Sequence, residues 1–218
     1  MQSYFFSNKL NHVKSLINTW QEPSKAPFNT RKIPQKINSP YLMQIINATP
    51  NSFSENNNLN NYQDIFNNID QAISCGAHMI DIGAEATNPK ASAIKNTDEW
   101  ERLEPVLEYI SSNKNKWSKQ DIQISLDTRN YQTFEKALKY NCIDILNDVS
   151  GLTNPSMQNL VKNSQIKAVY MHSLSVPAKK EIILPLDKDP IELVYNWAEQ
   201  QLENLTNLGI KKENLIFD

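Results

Sequence analysis

The sequence predicts a parallel α/β domain. From Tyr41 onward, short apolar runs of strand length alternate with segments of helical periodicity, and nearly every apolar run closes on a polar residue. A weak internal echo points the same way. Gly76-Ala-His-Met-Ile-Asp81 and Cys142-Ile-Asp-Ile-Leu-Asn147 both run from a helix end into an apolar stretch and finish on a polar side chain, as repeated βα units do.

Taken in order, the strands are expected at Leu42 to Ile46, Met79 to Ile82, Ile122 to Leu126, Ile143 to Leu146, Ala168 to Met171 and Leu215 to Phe217. Between them, Ile65, Phe66, Ile69, Ala72 and Ile73 share one helical face, as do Trp100, Leu103, Val106, Leu107 and Ile110. Asn96 with Glu99 three residues later resembles a capping box, and Pro105 marks a candidate kink. Phe134, Ala137 and Leu138 mark a third helix, and Met157, Leu160 and Val161 a fourth. The longest carries Ile191, Val194, Trp197, Ala198, Leu202, Leu205 and Leu208. Polar residues gather at one end of the strands: Asn47, Asp81 and Glu85, Asp127, Asn147 and Asp148, His172, and Asp218. In parallel α/β folds that end is the rim where ligands bind.

Residues 1–40 are expected to form a separate arm or linker and residues 41–218 the barrel domain. Pro23, Pro27, Pro34 and Pro40 interrupt the arm, although Leu10, Val13, Leu16, Ile17 and Trp20 fit a short helix. The arm holds six Lys/Arg against one acid, Glu22, while the whole chain has a net charge of −2. It lacks a dense basic cluster with interleaved aromatics, so nucleic acid is not an expected partner. Two cysteines, Cys75 and Cys142, cannot make a disulfide framework and read as buried small residues in a reducing compartment. No apolar run approaches the ~20 residues of a membrane span, and the Tyr4-Phe5-Phe6 patch is too short for a signal-peptide core. The expectation is a cytoplasmic protein without a membrane partner.

Six motifs, in order and each at a strand end, resemble those of the dihydropteroate synthase family. They are Met43-Gln-Ile-Ile-Asn-Ala-Thr-Pro-Asn-Ser-Phe-Ser54, Asp81-Ile-Gly-Ala-Glu-Ala-Thr-Asn-Pro89, Ser125-Leu-Asp-Thr128, Ile145-Leu-Asn-Asp-Val-Ser-Gly151, Tyr170-Met-His172 and Leu215-Ile-Phe-Asp218. The resemblance implies a (β/α)8 TIM barrel, here truncated after the sixth strand. It implies that p-aminobenzoate displaces pyrophosphate from a dihydropterin-methyl diphosphate, with Mg²⁺ as cofactor and a homodimer or a completing chain as partner.

By the same resemblance, Asp127, Asn147 and Asp218 contact the pterin edge, Met171 makes an apolar contact with the ring, Thr87 binds the diphosphate and Asn47 is linked to the metal. The chemistry suits these residue types. A carboxylate can accept two parallel N–H bonds from a pterin, an amide can both donate and accept, and an amide oxygen is a hard neutral donor for Mg²⁺. His172 fits a wall or hydrogen-bonding role, and no catalytic base is assigned. Two loops depart from the family pattern. Asn51 stands where the family has Asp, with Glu55-Asn56-Asn57 in place of Asp-Gly-Gly, and Asn88 stands where it has Arg. Loss of that cation weakens the expected hold on a leaving diphosphate. Two other readings remain open: a pterin-binding methyltransferase domain that presents methyltetrahydrofolate, and an inactive or partner-dependent pterin-binding fragment.

Overall fold

The computed structural model describes residues 41–48, 60–84 and 95–218. The proposed arm and the first-loop residues Thr49 to Leu59 lie outside them, as do Glu85 to Ile94 with Thr87 and Asn88. Six strands form one parallel sheet in the order β1 to β6: β1 (Met43–Asn47), β2 (Met79–Gly83), β3 (Gln123–Asp127), β4 (Ile145–Asp148), β5 (Lys167–Tyr170) and β6 (Leu215–Phe217). Five α-helices lie between them in the chain: α1 (Asn60–Ser74), α2 (Asn96–Asn113), α3 (Tyr131–Ala137), α4 (Pro155–Ser164) and α5 (Pro190–Asn207).

Strand order equals chain order, with no reversal. Because βαβ crossovers share one hand, a sheet wound in a single direction collects its helices on one face. The other face is then free to become the inside of a barrel. A doubly wound sheet would instead reverse its order at a switch point. The six parallel strands follow the first six of an eight-stranded barrel.

Side-chain burial separates the two faces. Ile46, Ile80, Ile82, Ile124, Leu126, Leu146, Ala168 and Tyr170 pack in one core with Ile65 and Ile69 of α1, Leu103, Val106, Leu107 and Ile110 of α2, Phe134 of α3 and Met157 and Val161 of α4. Ile145 and Val169 are also buried, but on the opposite face and outside that core. The helix-facing row thus has the period of two expected of strands, and the helices have the apolar stripes their sequence carries.

Helix starts and stops follow from local chemistry. The Asn154 side chain accepts from the backbone N–H groups of Ser156 and Met157 at the start of α4, with Pro155 at the first helical position. Asp189 does the same for α5 through Ile191 N–H, followed by Pro190. The expected capping box of α2 does not form. Lys95 is the N-cap residue and makes no side-chain cap, while Asn96 donates to Gln132 and Glu99 is drawn inward to the loop after β3. Helix α2 also runs through Pro105 to Asn113 without interruption.

Two further expectations are corrected. Cys75 is exposed, in the turn that closes α1, whereas Cys142 is buried as expected, and burial pushes its thiol up to about 11. In α5, Leu205 is buried but Ile191 and Leu208, at its two ends, are exposed; Trp197 and Gln201 seat the middle of the helix on β5 and the loop after β4. Among the described residues, no helix is long and apolar enough to cross a membrane.

Candidate functional site

The register of the sheet assembles the site. Asn47 pairs with Gly83, Gly83 with Asp127, Asp127 with Asn147, Asn147 with Val169, and Val169 with Ile216. Neighbours paired in a parallel ladder point to the same face, so these six form one row. It is the face turned away from the helices, at the carboxyl ends of the strands. One layer deeper, Ile45, Asp81, Ser125, Ile145 and Lys167 form a second row. One residue beyond the paired positions, Met171 and Asp218 follow β5 and β6 at the mouth. Asp218 is tied there by its backbone: its N–H donates to the Tyr170 carbonyl at 3.3 Å and its carbonyl accepts from His172 N–H at 3.0 Å.

Asp127 is half-buried, and its carboxylate lies directly over Gly83. A Cβ at position 83 would stand 3.1 Å from Asp127 Oδ2, so the missing side chain leaves the carboxylate its space. Asn147 is half-buried beside it. Its Nδ2 lies 3.4 Å from both oxygens of Asp81, which reaches up from the deeper row. Asp81 is 4% exposed and also accepts from Ser125 Oγ at 2.5 Å. Burial raises its carboxyl above the ordinary carboxylate range, and the bonds from Ser125 and Asn147 pull the other way. The two halves of the internal echo, which end on Asp81 and Asn147, therefore meet inside the sheet.

A second buried carboxylate steadies the loop after Asp127. Glu99, from the first turn of α2, accepts from Thr128 Oγ1 at 2.7 Å, Asn130 Nδ2 at 2.8 Å and Thr133 Oγ1 at 2.5 Å. A buried carboxylate needs such donors, because desolvation would otherwise disfavour its charge. The loop after β4 is held from the other side. Gly151, with φ of +76°, packs against Trp197, and its carbonyl accepts from Gln201 Nε2 at 2.7 Å. Trp197 meets His172 edge-on at 4.9 Å, which puts the histidine on the helix side.

The structure thus brings Asn47, Asp127 and Asn147 into one row and sets Met171 and Asp218 beside it; Thr87 falls outside the described residues. Asp81, expected at the rim, lies one layer deeper inside β2, and Ser125 and Glu99 were missed as neighbours of the row. The signal for Asp81 was present, an ionisable residue inside the apolar run Met79 to Ile82. Glu99 carried a competing signal in its capping-box spacing. Among the described residues, no group of three or more His, Cys, Asp or Glu side chains could hold a metal ion.

A singly wound parallel sheet whose inner face carries carboxylates and amides at one mouth defines a barrel-type α/β binding protein. The model of the pterin binding enzyme family matches residues 43–218, and the chain belongs to that family. It is 32% identical over 180 residues to a folate synthesis bifunctional protein of Chlamydia caviae, covering 81% of this chain and 39% of that protein. It is 31% identical over 178 residues to a dihydropteroate synthase of Streptococcus pyogenes, covering 81% of this chain and 61% of the relative. The crystal structure of a Clostridium difficile dihydropteroate synthase in the presence of pteroic acid superposes with a TM-score of 0.69 at 30% identity, over 82% of this chain and 63% of that one. A dihydropteroate synthase from Anaplasma phagocytophilum with bound 6-hydroxymethylpterin-monophosphate gives 0.69 at 28% identity, over 82% and 65%. The chain thus spans about two fifths to two thirds of the length of these relatives.

Proposed function

We propose that the protein acts in folate biosynthesis as a dihydropteroate synthase, joining p-aminobenzoate to 6-hydroxymethyl-7,8-dihydropterin diphosphate with release of pyrophosphate. The single observation that carries this reading is the row of Asp127 and Asn147 on one inner face, with Asp218 at the same mouth. Relatives named dihydropteroate synthase support it, as does a neighbour with a bound pterin phosphate.

In this reading Asp127 and Asp218 accept N–H bonds from the pterin, Asn147 contacts its edge with an amide, and Met171 lies against the ring. Thr87 contacts the diphosphate. Departure of pyrophosphate leaves positive charge on the pterin-methyl carbon, and nearby carboxylates favour a cation-like transition state.

Asn47 fits Mg²⁺ in one mode of binding. The described residues supply no all-protein cage, but Mg²⁺ commonly takes one or two protein oxygens and completes its shell with substrate phosphate and water. Asn47 ends β1 with its side chain exposed at the mouth, where its Oδ1 can serve as such a donor. The ion, when bound, neutralises charge on the leaving diphosphate.

A homodimer or a completing polypeptide is part of the proposal. It is supported by exposed apolar side chains on the outer strands, with Ile45 60% exposed and Phe217 45%. Light scattering on the purified protein reads its mass in solution.

The deciding experiment is calorimetry with dihydropterin diphosphate. Asp127→Ala is expected to abolish binding in protein that remains folded. Unchanged affinity removes the site assignment. Methyl transfer to cobalamin, assayed on the same protein, would select the methyltransferase reading instead, and pterin binding without turnover would select the binding-only reading.

A further inference from the structure

The deeper row holds one buried ionisable side chain that the proposed chemistry does not use, Asp81; Lys167, in the same row, is exposed. Asp81 is nearly sealed from solvent, and it reaches across β3 to touch a residue of β4 rather than a helix. Its partners are Ser125 Oγ and both approaches of Asn147 Nδ2. A carboxylate accepts and cannot donate, so the group that faces it must be the NH2 end of the Asn147 amide. The reversed amide would set Oδ1 against two carboxylate oxygens, acceptor against acceptor. With one N–H directed at Asp81, the other N–H and Oδ1 remain for the mouth in a fixed left-to-right order.

We propose that Asp81 is a positioning residue, which fixes the orientation of the Asn147 amide and so sets the order of donor and acceptor that a heterocycle edge meets. Ser125 completes the device by holding the carboxylate from the neighbouring strand. The proposal rests on the reading of Asn147 as a pterin contact, and it extends that reading to a residue that touches no ligand itself. Its consequence is specificity: a heterocycle with the same donors and acceptors in mirrored order meets a clash at Asn147.

Two measurements on the full chain test it. The first needs no ligand. The Asn147 side-chain NH2 resonances are identified by their loss in Asn147→Ala. They are expected to move with pH as Asp81 titrates, above the ordinary carboxylate range, and to lose that response in Asp81→Asn. Resonances indifferent to both pH and Asp81→Asn overturn the proposal.

The second is a double-mutant cycle in dihydropterin diphosphate binding. Asp81→Asn alone is expected to weaken binding about tenfold, as for loss of a charge-assisted contact. In the Asn147→Ala background it is expected to change binding less than about twofold, because its target is gone. Equal losses in both backgrounds overturn the positioning role, since a merely structural effect adds. A wild-type chain that shows the resonance coupling yet binds no pterin overturns the pterin reading and leaves the Asp81–Asn147 linkage standing.

Discussion

The middle strands and the outer strands of this sheet are built to different standards. On β2, β3 and β4 the helix-facing residues Ile80, Ile82, Ile124, Leu126 and Leu146 are all 0% exposed, and the inner face is tied by Asp81, Ser125 and Asn147. On the inner face, Ile145 of β4 is 2% exposed, whereas on the outer strands Ile45 of β1 is 60% exposed and Ile216 of β6 is 39% exposed. The proposed ligand contacts divide the same way. Asp127 and Asn147 are half-buried with supporting neighbours, while Asn47 and Asp218 are exposed at the flanks. The difference teaches where preorganisation resides. In the proposed function, recognition of the flat ring would fall to the well-packed centre, and the contacts of Asn47 and Asp218 to strands with less around them.

The largest effect that could break this contrast is in the core. Leu126→Ala, at the centre, is expected to cost about 2–5 kcal/mol in denaturant unfolding, because its side chain is fully buried in the core and leaves a hole there. A cost below ~1 kcal/mol would mean that the centre is not the rigid part.

Next in size is the buried carboxylate under the β3 loop. Glu99→Gln keeps the shape but gives the pocket an NH2 group where it has donors already. A loss of about 1–3 kcal/mol is expected, with faster hydrogen exchange at residues 128–133. Unchanged exchange there would show that the loop is held by other means.

A smaller effect sharpens the comparison through pH. Burial raises the carboxyls of both Asp81 and Asp148. The native state therefore keeps these protons to higher pH than the unfolded chain, where a carboxyl titrates near ~3.9. Their share of stability is fully present below that value and is lost as pH rises through the native-state values. Asp81→Asn removes one such share, so its stability relative to wild type should climb with pH across that window. A difference that stays flat across the window would mean that Asp81 is solvated in the native protein. The smallest effect is expected at the edge: Ile45→Ala, already largely in water, should shift stability by less than about 0.5 kcal/mol. A cost like that of Leu126→Ala would erase the distinction between regions.

Much of the scaffold could be read before the structure. Apolar runs fell within two residues of each strand, because a strand buried on its helix face must be apolar there whatever its partners. The rim residues Asn47, Asp127 and Asn147 could be read for a related reason, since each is the polar residue that closes or nearly closes its apolar run. What failed depended on partners distant in the chain. Glu99 had the spacing of a cap, but Thr128, Asn130 and Thr133 offered it a better-satisfied buried site. Asp81 stood out as polar, yet its link to Asn147 spans 66 residues and follows from register, which local pattern does not encode. The exposure of Ile191 and Leu208 likewise depends on which turns of α5 find a partner, a tertiary matter.

The residue-by-residue pairing across β1 to β5 has a consequence for how such a chain can change over time. Odd and even positions in each strand serve different masters, one the hydrocarbon layer under the helices and the other the inner face with its polar row. Deleting a single residue inside β3 would swap Leu126 with Asp127, plunging a charge among the helices and turning an aliphatic group to the inner face. Gains and losses of sequence are thus confined to the connecting segments, and length variation within the strands is quantised in steps of two.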